Sequence, residues 1–347
     1  MREDTDTPGA EQPAVWTEPS SPGPILFLMR LILSVLVLVH LWRFTATAQP
    51  DEIHGTPFRG CFRGTEGLIA DDDGTFYASE ESGRGIIWRC RAQRPTLLCD
   101  LTRCFGPDAG MLLGLARVGR SLFIAAPKLE GGSILRLSLD RPDEAALFAT
   151  HLGQLPNGLI SDGRFLFVSE TISGKIYRLS LRRRIDTPPQ RTETFAAPYS
   201  RPNGLALSPD GRTLYIVHTG LILPGQITAM GTRDMHLRPG GEARFSGMGD
   251  GLAWWHGWLW ACRQREGELV RIDPHHLDHQ HAFHLAGGRE PGGIRPASIA
   301  FAEMGNGRVT GAVTDVARAN SFDYVLRFFG LPLTWHHGVY HFSASSL

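Results

Sequence analysis

Four oxygen-bearing side chains occupy the same place in a repeated sequence motif. Each lies directly ahead of a glycine and a short apolar run, as Asn203 does in the segment RPNGLALSPDGRTLYIVHTG, which spans Arg201 to Gly220. Carboxylate and amide oxygens are hard ligands, and two carboxylates give a formal charge that matches a divalent cation. The pattern therefore predicts a calcium site, or a site for another divalent cation, built from Glu66, Asn157, Asn203 and Asp250.

The repeated motif also predicts the elements that position these side chains. GLALS and TLYIV read as two strands, and Pro209-Asp210-Gly211 between them is tight-turn chemistry, so each unit begins with a β-hairpin. Six such units follow one another at intervals of 44 to 47 residues, the length of one four-stranded propeller blade. The first residues of the units, here called the anchors, are Glu66, Leu113, Asn157, Asn203, Asp250 and Ala297.

The spacing therefore predicts an all-β chain folded as a six-bladed β-propeller over residues 49–347. Residues just before Glu66 are expected to supply the outermost strand of the last blade and so close the ring. Equivalent positions of successive blades surround a central channel, which brings the anchors together at its mouth. A single Asn or Asp before Gly is more often a turn former, but that explanation does not account for four anchors in register.

The second strands of the six hairpins return to the same face and should form an outer tier around the anchors. Within this tier His218 could move a proton near neutral pH, or could be a rim histidine that only packs and hydrogen-bonds. A separate group of histidines could bind a transition metal, and it lies in a stretch expected to be irregular and between blades. The outer tier is Glu80, Lys128, Glu170, His218, Arg263 and Asp315, and the histidine group is His275, His276, His279, His281 and His284.

Composition and the N-terminal segment limit the cellular context. The 347 residues carry 35 basic and 35 acidic side chains, which gives no support for a nucleic-acid partner. Residues 1–48 read as a disordered extension followed by a signal peptide or a membrane anchor. Leu31 to Trp42 is an apolar run, and Ala46-Thr47-Ala48 matches a signal-peptidase site. The expected location is periplasmic or secreted, or attached to a membrane through this segment alone with the propeller outside.

The five cysteines leave two interpretations open. A bridge between Cys90 and Cys99 across a predicted hairpin, or between Cys99 and Cys104, would suit an exported protein. Plain buried thiols are the alternative. No Cys pair or Cys/His spacing in the sequence indicates zinc.

The segment PNGLALSPDGRTLYIVHT resembles the signature of the regucalcin/gluconolactonase family, and TEGLIADDDGTFYASEESGRGIIWR resembles its opening blade. The order Glu, Asn, Asn, Asp on blades one, three, four and five is also that of paraoxonases and diisopropylfluorophosphatase. The resemblance implies that Glu66, Asn203 and Asp250 bind the metal directly and that Asn157 binds metal or substrate. Paraoxonases have an Asn directly after the Asp, and Gly251 stands there in this chain, which favours the gluconolactonase branch.

These observations predict a monomeric, calcium-dependent hydrolase of a small-molecule lactone or ester. The metal would polarise the carbonyl group and lower the pKa of a bound water. Asp250, interpreted as the carboxylate opposite Glu66, would take the proton or attack directly, with His218 as a second candidate. Two alternatives remain at this stage: a propeller that binds a ligand or protein with a structural calcium, and strictosidine-synthase-like chemistry.

Overall fold

The fold is that of a computed structural model, which describes residues 51–58, 62, 64–92, 94–182, 194–196, 201–220, 225–287, 293–303, 309–315 and 338–343. The N-terminal extension, the signal peptide and the membrane anchor expected before residue 49 lie outside these residues and stay predictions. In the part of the chain that is described, no helix has both the length and the apolar character needed to span a membrane.

The described residues form six antiparallel sheets arranged as a β-propeller, which confirms the predicted fold. In each sheet the strand that contains the anchor, or in blade two directly follows it, lies at the centre, and these inner strands neighbour one another in chain order, with the last next to the first. The strands of blades one to three are β3 (Thr65–Ala70), β4 (Phe76–Glu80), β5 (Ile86–Arg91), β6 (Arg94–Asp100); β7 (Leu115–Val118), β8 (Ser121–Ala126), β9 (Ser133–Ser138), β10 (Ala145–Ala149); and β11 (Pro156–Ser161), β12 (Phe165–Glu170), β13 (Lys175–Ser180), β14 (Thr194–Ala196).

The second half of the ring repeats this order, and a short helix α1 (Thr102–Phe105) with a 3-10 turn (Gly106–Ala109) joins blades one and two. The strands of blades four to six, in the order in which they follow the chain, are β15 (Pro202–Leu207), β16 (Thr213–His218), β17 (Gly225–Gly231), β18 (Leu237–Phe245); β19 (Gly249–Trp255), β20 (Trp258–Arg263), β21 (Glu268–Ile272), β22 (Gln280–Ala286); and β23 (Pro296–Glu303), β24 (Val309–Asp315), β25 (Gly338–Ser343).

Two strands from the start of the propeller close the ring. β2 (Thr56–Pro57) pairs antiparallel with β25 and completes blade six, as predicted. β1 (Asp51–His54) pairs parallel with β22 and gives blade five a fifth strand, which the sequence did not predict. Gly55 lies between them, and its amide donates to the Ala286 carbonyl at 2.9 Å. One short segment thus holds the outer edges of two neighbouring blades together.

The core of the described residues is divided into six apolar clusters, and each lies between two neighbouring blades. Inward and outward alternation along the strands puts one set of side chains against the preceding blade and the other against the following blade. The cluster between blades six and one contains Phe58, Leu68 and Val339, so the ring is closed by apolar packing as well as by β2. The cluster between blades five and six includes Ile53 of β1.

The four described cysteines are free thiols, so neither predicted bridge is present and the alternative of buried thiols is correct for three of them. Cys90, Cys99 and Cys262 are buried, and Cys104 is exposed. In the β5–β6 hairpin Cys90 pairs with Pro95 and Cys99 pairs with Ile87, so the two cysteines are not cross-strand partners. Burial raises the pKa of Cys90 to about 12 and that of Cys99 to about 11. Cys61 lies outside the described residues.

Replacing Ile53 by alanine tests whether β1 contributes to ring closure. Ile53 is buried in the cluster between blades five and six, whereas the next residue, His54, is exposed. We expect Ile53→Ala to lower the free energy of unfolding by about 2–5 kcal/mol, the usual range for a buried aliphatic truncation. His54→Ala should change it by less than about 0.5 kcal/mol. Equal effects in urea denaturation would contradict the closure by β1.

Candidate cation site at the mouth of the channel

A β-bulge marks the start of the inner strand in five of the six blades. The pairing register shifts between Thr65 and Leu68 in blade one, and blades three, four, five and six show the same shift at equivalent residues. A bulge re-aims side chains relative to regular pleating. The anchor and the following glycine lie within this irregularity, so the anchors do not follow the alternation of the rest of the strand.

The glycine that follows the anchor in blades one to five is required by the close approach of neighbouring blades. A Cβ atom added at Gly158 would collide with the carbonyl oxygen of Asn203, the anchor of the next blade. The same collision occurs at Gly67 with Leu113, and at the equivalent glycines of blades two, four and five. Gly251, for example, would place a Cβ 2.5 Å from the Ala297 carbonyl oxygen. The anchor–glycine pair is therefore a packing motif of the channel rather than a turn.

Hydroxyl groups on the second strands tie neighbouring anchors together. Ser169 Oγ accepts from the Gly158 amide at 2.8 Å and donates to the Asn203 carbonyl at 2.6 Å. In blade six, Thr314 Oγ1 accepts from the Ser298 amide at 2.9 Å and donates to the Glu66 carbonyl at 2.7 Å. Ser79 makes the corresponding pair of bonds between blades one and two. These bridges fix the backbone of the anchors on both sides of the blade interfaces.

The four predicted ligands converge on the central channel and are buried. The inner strands enclose a cavity of about 410 Å³ whose lining includes Glu66, Asn157, Asn203 and Asp250. Each of these side chains is less than a tenth exposed. In the ring order, blades five and one are separated only by blade six, so Asp250 is not opposite Glu66 as the sequence analysis supposed. Ala297 lies between them and leaves space beside the two carboxylates.

A second ring of side chains lies next to the anchors, at the residue that follows each second strand. These residues are equivalent because their amides make the same bond, to the carbonyl two residues before the anchor, in blades one, three, four and five. Thr171 Oγ1 accepts from Asn157 Nδ2 at 3.3 Å, and Thr219 Oγ1 accepts from Asn203 Nδ2 at 3.1 Å. The threonine hydroxyls therefore bind the Nδ2 atoms of the two asparagines. Each Oδ1 atom is then the metal ligand that the asparagine can offer to a cation.

The second ring also contributes Glu81 and Gln264, which sequence analysis did not identify as site residues. Gln264 Nε2 donates to Asp250 Oδ2 at 2.7 Å, and both side chains are almost fully buried. Glu81 is 1% exposed, and its charge acts on Asp250. Glu81 and Gln264 share one feature that could have identified them, because each directly follows the second strand of its blade. That feature can be recognised only when the ends of the second strands are known.

Three buried carboxylates thus act on one small region. Burial and the negative charge of Glu81 raise the pKa of Asp250 well above 3.8, although a hydrogen bond from Asn203 opposes the shift. Burial and the charges of Asp250 and Glu66 likewise raise the pKa of the Cys262 thiol, which lies beside them. The hydrogen-bond partners of Asp250, Gln264 and Asn203, are neutral amides. They orient its carboxylate without compensating its charge.

This donor set fits a hard divalent cation. Calcium takes about six to eight oxygen ligands from carboxylates, amides and water. The anchors offer two carboxylates and two amide oxygens, and the buried carboxylate of Glu81 acts electrostatically on Asp250. Buried carboxylates that repel one another are costly unless a positive charge compensates them. The second-ring hydrogen bonds supply the outer contacts that orient metal ligands in proteins.

The carboxylates of the predicted outer tier are engaged in local structure. Glu80 is bound by Arg84 and by Trp88 Nε1, and Glu170 accepts from the amides of Leu155 and Ser173. Asp315 accepts from the Arg295 amide at 3.0 Å. Arg263 pairs with Glu268 at 3.2 Å. The backbone of Lys128 donates to Gln154. These contacts hold the loops between second and third strands and between blades.

His218 is buried in blade four and is not among the residues that line the channel cavity. Its Nε2 lies 2.8 Å from Thr228 Oγ1, and its Nδ1 has no hydrogen-bond partner among the described residues. Burial lowers the pKa of His218 to about 4, so the imidazole is neutral at pH 7. The geometry favours the packing interpretation over a proton shuttle near neutral pH, and a catalytic role for His218 stays a prediction.

Comparisons with solved structures show the same propeller fold. A gluconolactonase from Xanthomonas campestris is 20% identical with a TM-score of 0.56, covering 78% of this chain and 93% of the other. A calcium-binding regucalcin from Agrobacterium tumefaciens is 18% identical, TM-score 0.57, covering 85% and 95%. The PQQ-bound aldose sugar dehydrogenase from Streptomyces coelicolor is 15% identical, TM-score 0.60, covering 85% and 99%. No protein-family model and no curated protein matches the sequence.

Removing the Thr219 hydroxyl tests whether the second ring positions the anchors. Thr219→Val deletes the acceptor of Asn203 Nδ2 and the donor to the Gly249 carbonyl. We expect calcium affinity to fall about 10- to 100-fold, as for other outer contacts of metal ligands. Thr228→Val is the matched control, since it removes a buried hydroxyl of the same blade that contacts His218 instead. Calorimetric titration that shows equal calcium affinity in both variants would contradict this role.

The raised pKa of Asp250 predicts an unusual pH dependence of the cation-free protein. A carboxyl group with a higher pKa in the folded than in the unfolded state binds more protons when folded, so stability falls as pH rises. With chelator present, we expect the free energy of unfolding to decrease as the pH rises above 3.8, the ordinary pKa of an aspartate, towards the higher pKa of the folded state. Calcium should remove most of that decrease, and Asp250→Asn should remove it without calcium. A pH profile identical in wild type and Asp250→Asn would contradict the assignment.

Proposed function

We propose that the protein is a calcium-dependent hydrolase of a lactone or another small ester. The observation that carries the proposal is the buried ring of oxygen ligands in the channel, with two carboxylates and two oriented amides lining the cavity and the buried charge of Glu81 acting on Asp250. The propeller folds of a gluconolactonase and a calcium-binding regucalcin are consistent with it. At 20% and 18% identity, these two structures support the fold alone, and the function is inferred from the site.

Glu66, Asn157, Asn203 and Asp250 would hold the cation, with Glu81 as a fifth donor that the sequence analysis missed. When bound, a divalent cation acts as a Lewis acid that polarises an ester carbonyl and lowers the pKa of water. Four or five protein donors leave coordination positions for solvent and substrate, since calcium accepts about six to eight oxygens. The arrangement therefore suits a catalytic site better than a closed structural one.

Asp250 is the residue that we propose takes part in proton transfer or attack. Gln264 Nε2 donates to Oδ2 at 2.7 Å and Asn203 also hydrogen-bonds the carboxylate, so both amides fix its orientation beside the cavity. The burial of Asp250 excludes bulk water, so its interactions with developing charge are stronger than at a surface. The negative charge of Glu81 acts on Asp250 and would stabilise a proton held by its carboxylate.

We also propose that the protein acts outside the cytoplasm on a small molecule. Support comes from the apolar run Leu31 to Trp42 with Ala46-Thr47-Ala48 after it, and from a cavity of about 410 Å³, which suits a small substrate. The balanced charge of the chain supports a neutral or weakly charged substrate over a polyanion.

Matched variants of two adjacent buried glutamates test the ligand set. Glu81 acts on Asp250, whereas Glu80 is held by Arg84 and Trp88. Glu81→Gln should weaken calcium binding and lower lactone turnover together, because a charged ligand is lost. Glu80→Gln should lower stability by about 1–3 kcal/mol through the broken ion pair but preserve calcium affinity. Calcium affinity unchanged in Glu81→Gln would exclude Glu81 from the site.

Asp250→Asn separates coordination from chemistry. Hydrolysis of a δ-lactone and an aryl ester should disappear with chelator and return with calcium. In Asp250→Asn, retained calcium with turnover reduced about a hundredfold or more, the effect expected for loss of a general base, assigns Asp250 to the reaction. Loss of both properties assigns it to coordination. Calcium bound by the wild type without turnover of any ester or lactone would overturn the hydrolase and favour a binding propeller with a structural calcium.

A further inference from the structure

A compact group of metal-ligating side chains lies far from the channel, in the turn between β21 and β22. Asp273, His276 and His279 offer a carboxylate oxygen and two imidazole nitrogens that all lie within 4.8 Å of one another. We propose that these three residues bind a divalent transition-metal ion of the zinc class. The sequence analysis had placed the histidines between blades, but the structure puts them within blade five, with His281 and His284 in β22.

The backbone brings the three side chains together by two successive turns. The amide of His276 donates to the Asp273 carbonyl at 3.2 Å, and the amide of His279 donates to the His276 carbonyl at 2.8 Å. The Asp273 amide donates back to the His279 carbonyl at 3.1 Å, which closes the loop. In two successive turns of this kind, the side chains of residues three apart lie on the same side of the backbone. The local hydrogen bonds of the turn therefore bring Asp273, His276 and His279, which are three residues apart in sequence, into one cluster.

Apolar packing and hydrogen bonds fix the turn to blades four and five. Leu277 is buried in the cluster between blades four and five. Gln280 Nε2 donates to the Leu277 carbonyl at 2.8 Å and to the Arg244 carbonyl at 2.9 Å. Tyr215 reaches the Pro274 carbonyl from the neighbouring blade. A fixed backbone lowers the entropic cost of assembling a metal site, because only side-chain rotation remains.

The side-chain geometry suits one shared ion. His276 Nδ1 lies 3.3 Å from Asp273 Oδ2, and the rings of His276 and His279 are stacked with centroids 5.1 Å apart. Donors bound at about 2.0–2.1 Å to a tetrahedral ion lie about 3.3 Å apart. Both histidines are exposed, so small rotations can bring the third donor to that spacing. The Asp273 carboxylate is also oriented by the His275 amide at 2.8 Å.

The donor chemistry distinguishes this site from the channel. Two imidazoles with one carboxylate favour zinc, nickel, copper or cobalt, whereas the oxygen ring of the channel favours calcium. The two sites are also separated in space. Asp250 lies at the start of β19, and the antiparallel order of β19, β20 and β21 places the turn after Ile272 at the opposite face of the propeller. Its occupancy can therefore be measured independently of the proposed hydrolase.

The test is a titration of the full chain with zinc and with cobalt in excess calcium, which keeps the channel ring occupied. Wild type should bind one transition-metal ion, and bound cobalt should show the intense visible absorption of a low-coordinate site. The double variant His276→Ala/His279→Ala should weaken binding by more than about a hundredfold, since even outer contacts contribute about 10- to 100-fold. The control His275→Ala/His281→Ala removes two neighbouring histidines outside the trio and should retain wild-type affinity.

Two outcomes would overturn the proposal. One is equal zinc affinity in wild type and His276→Ala/His279→Ala, which would place any bound zinc elsewhere. The other is absence of zinc binding by wild type at micromolar concentrations. Binding should also weaken on acidification, because a protonated imidazole has no free lone pair for the metal. Thermal denaturation without zinc checks that the double variant folds, and similar melting temperatures to wild type make the affinity comparison valid.

Discussion

The close approach of the six inner strands is the constraint on which the site depends. The carbonyl oxygen of one anchor lies where the preceding blade has a glycine without a Cβ atom, as Asn203 does against Gly158. A larger residue would push the blades apart and widen the channel. Hydroxyl bridges such as that of Ser169 then fix the spacing by hydrogen bonds. Fold and site thus share one packing motif, and a substitution of the glycine would damage both.

This narrow ring creates an electrostatic cost that a bound cation would offset. Asp250 is buried beside the charge of Glu81, and its amide partners orient it without neutralising it. Burying like charges opposes folding, so such an arrangement persists where function requires it. The same feature explains the expected coupling of stability, pH and calcium. The proposed transition-metal site differs from it, since it uses two exposed histidines and a partly exposed aspartate on a turn at the other face.

The repeat and the anchors could be predicted because their signals are local in sequence. The glycine after five of the six anchors, the hairpin turns and the spacing of 44 to 47 residues all reflect the same unit. The role of that glycine was less visible, because the group that it accommodates belongs to another blade. Glu81 was missed for a similar reason. It lies next to Glu80 in the sequence, and only the structure shows that Glu81 interacts with Asp250 whereas Glu80 interacts with Arg84.

Other features depended on contacts that no local pattern encodes. β1 pairs with β22, more than two hundred residues away, so its place in blade five has no sequence signal of its own. His218 reads as a polar residue at a strand end, yet the packing around it removes it from water and lowers its pKa to about 4. The thiols were indistinguishable from disulfides until the register of the β5–β6 hairpin was known.

The most direct test of the central claim is a crystal structure of the protein grown with calcium, with anomalous scattering used to locate the ion. The account predicts one ion at the channel mouth, with oxygen atoms of Glu66, Asn157, Asn203 and Asp250 about 2.3–2.6 Å away. Glu81 should lie in or directly against this coordination shell. An ion elsewhere, or a channel mouth in which these side chains bind only one another and water at saturating calcium, would contradict it.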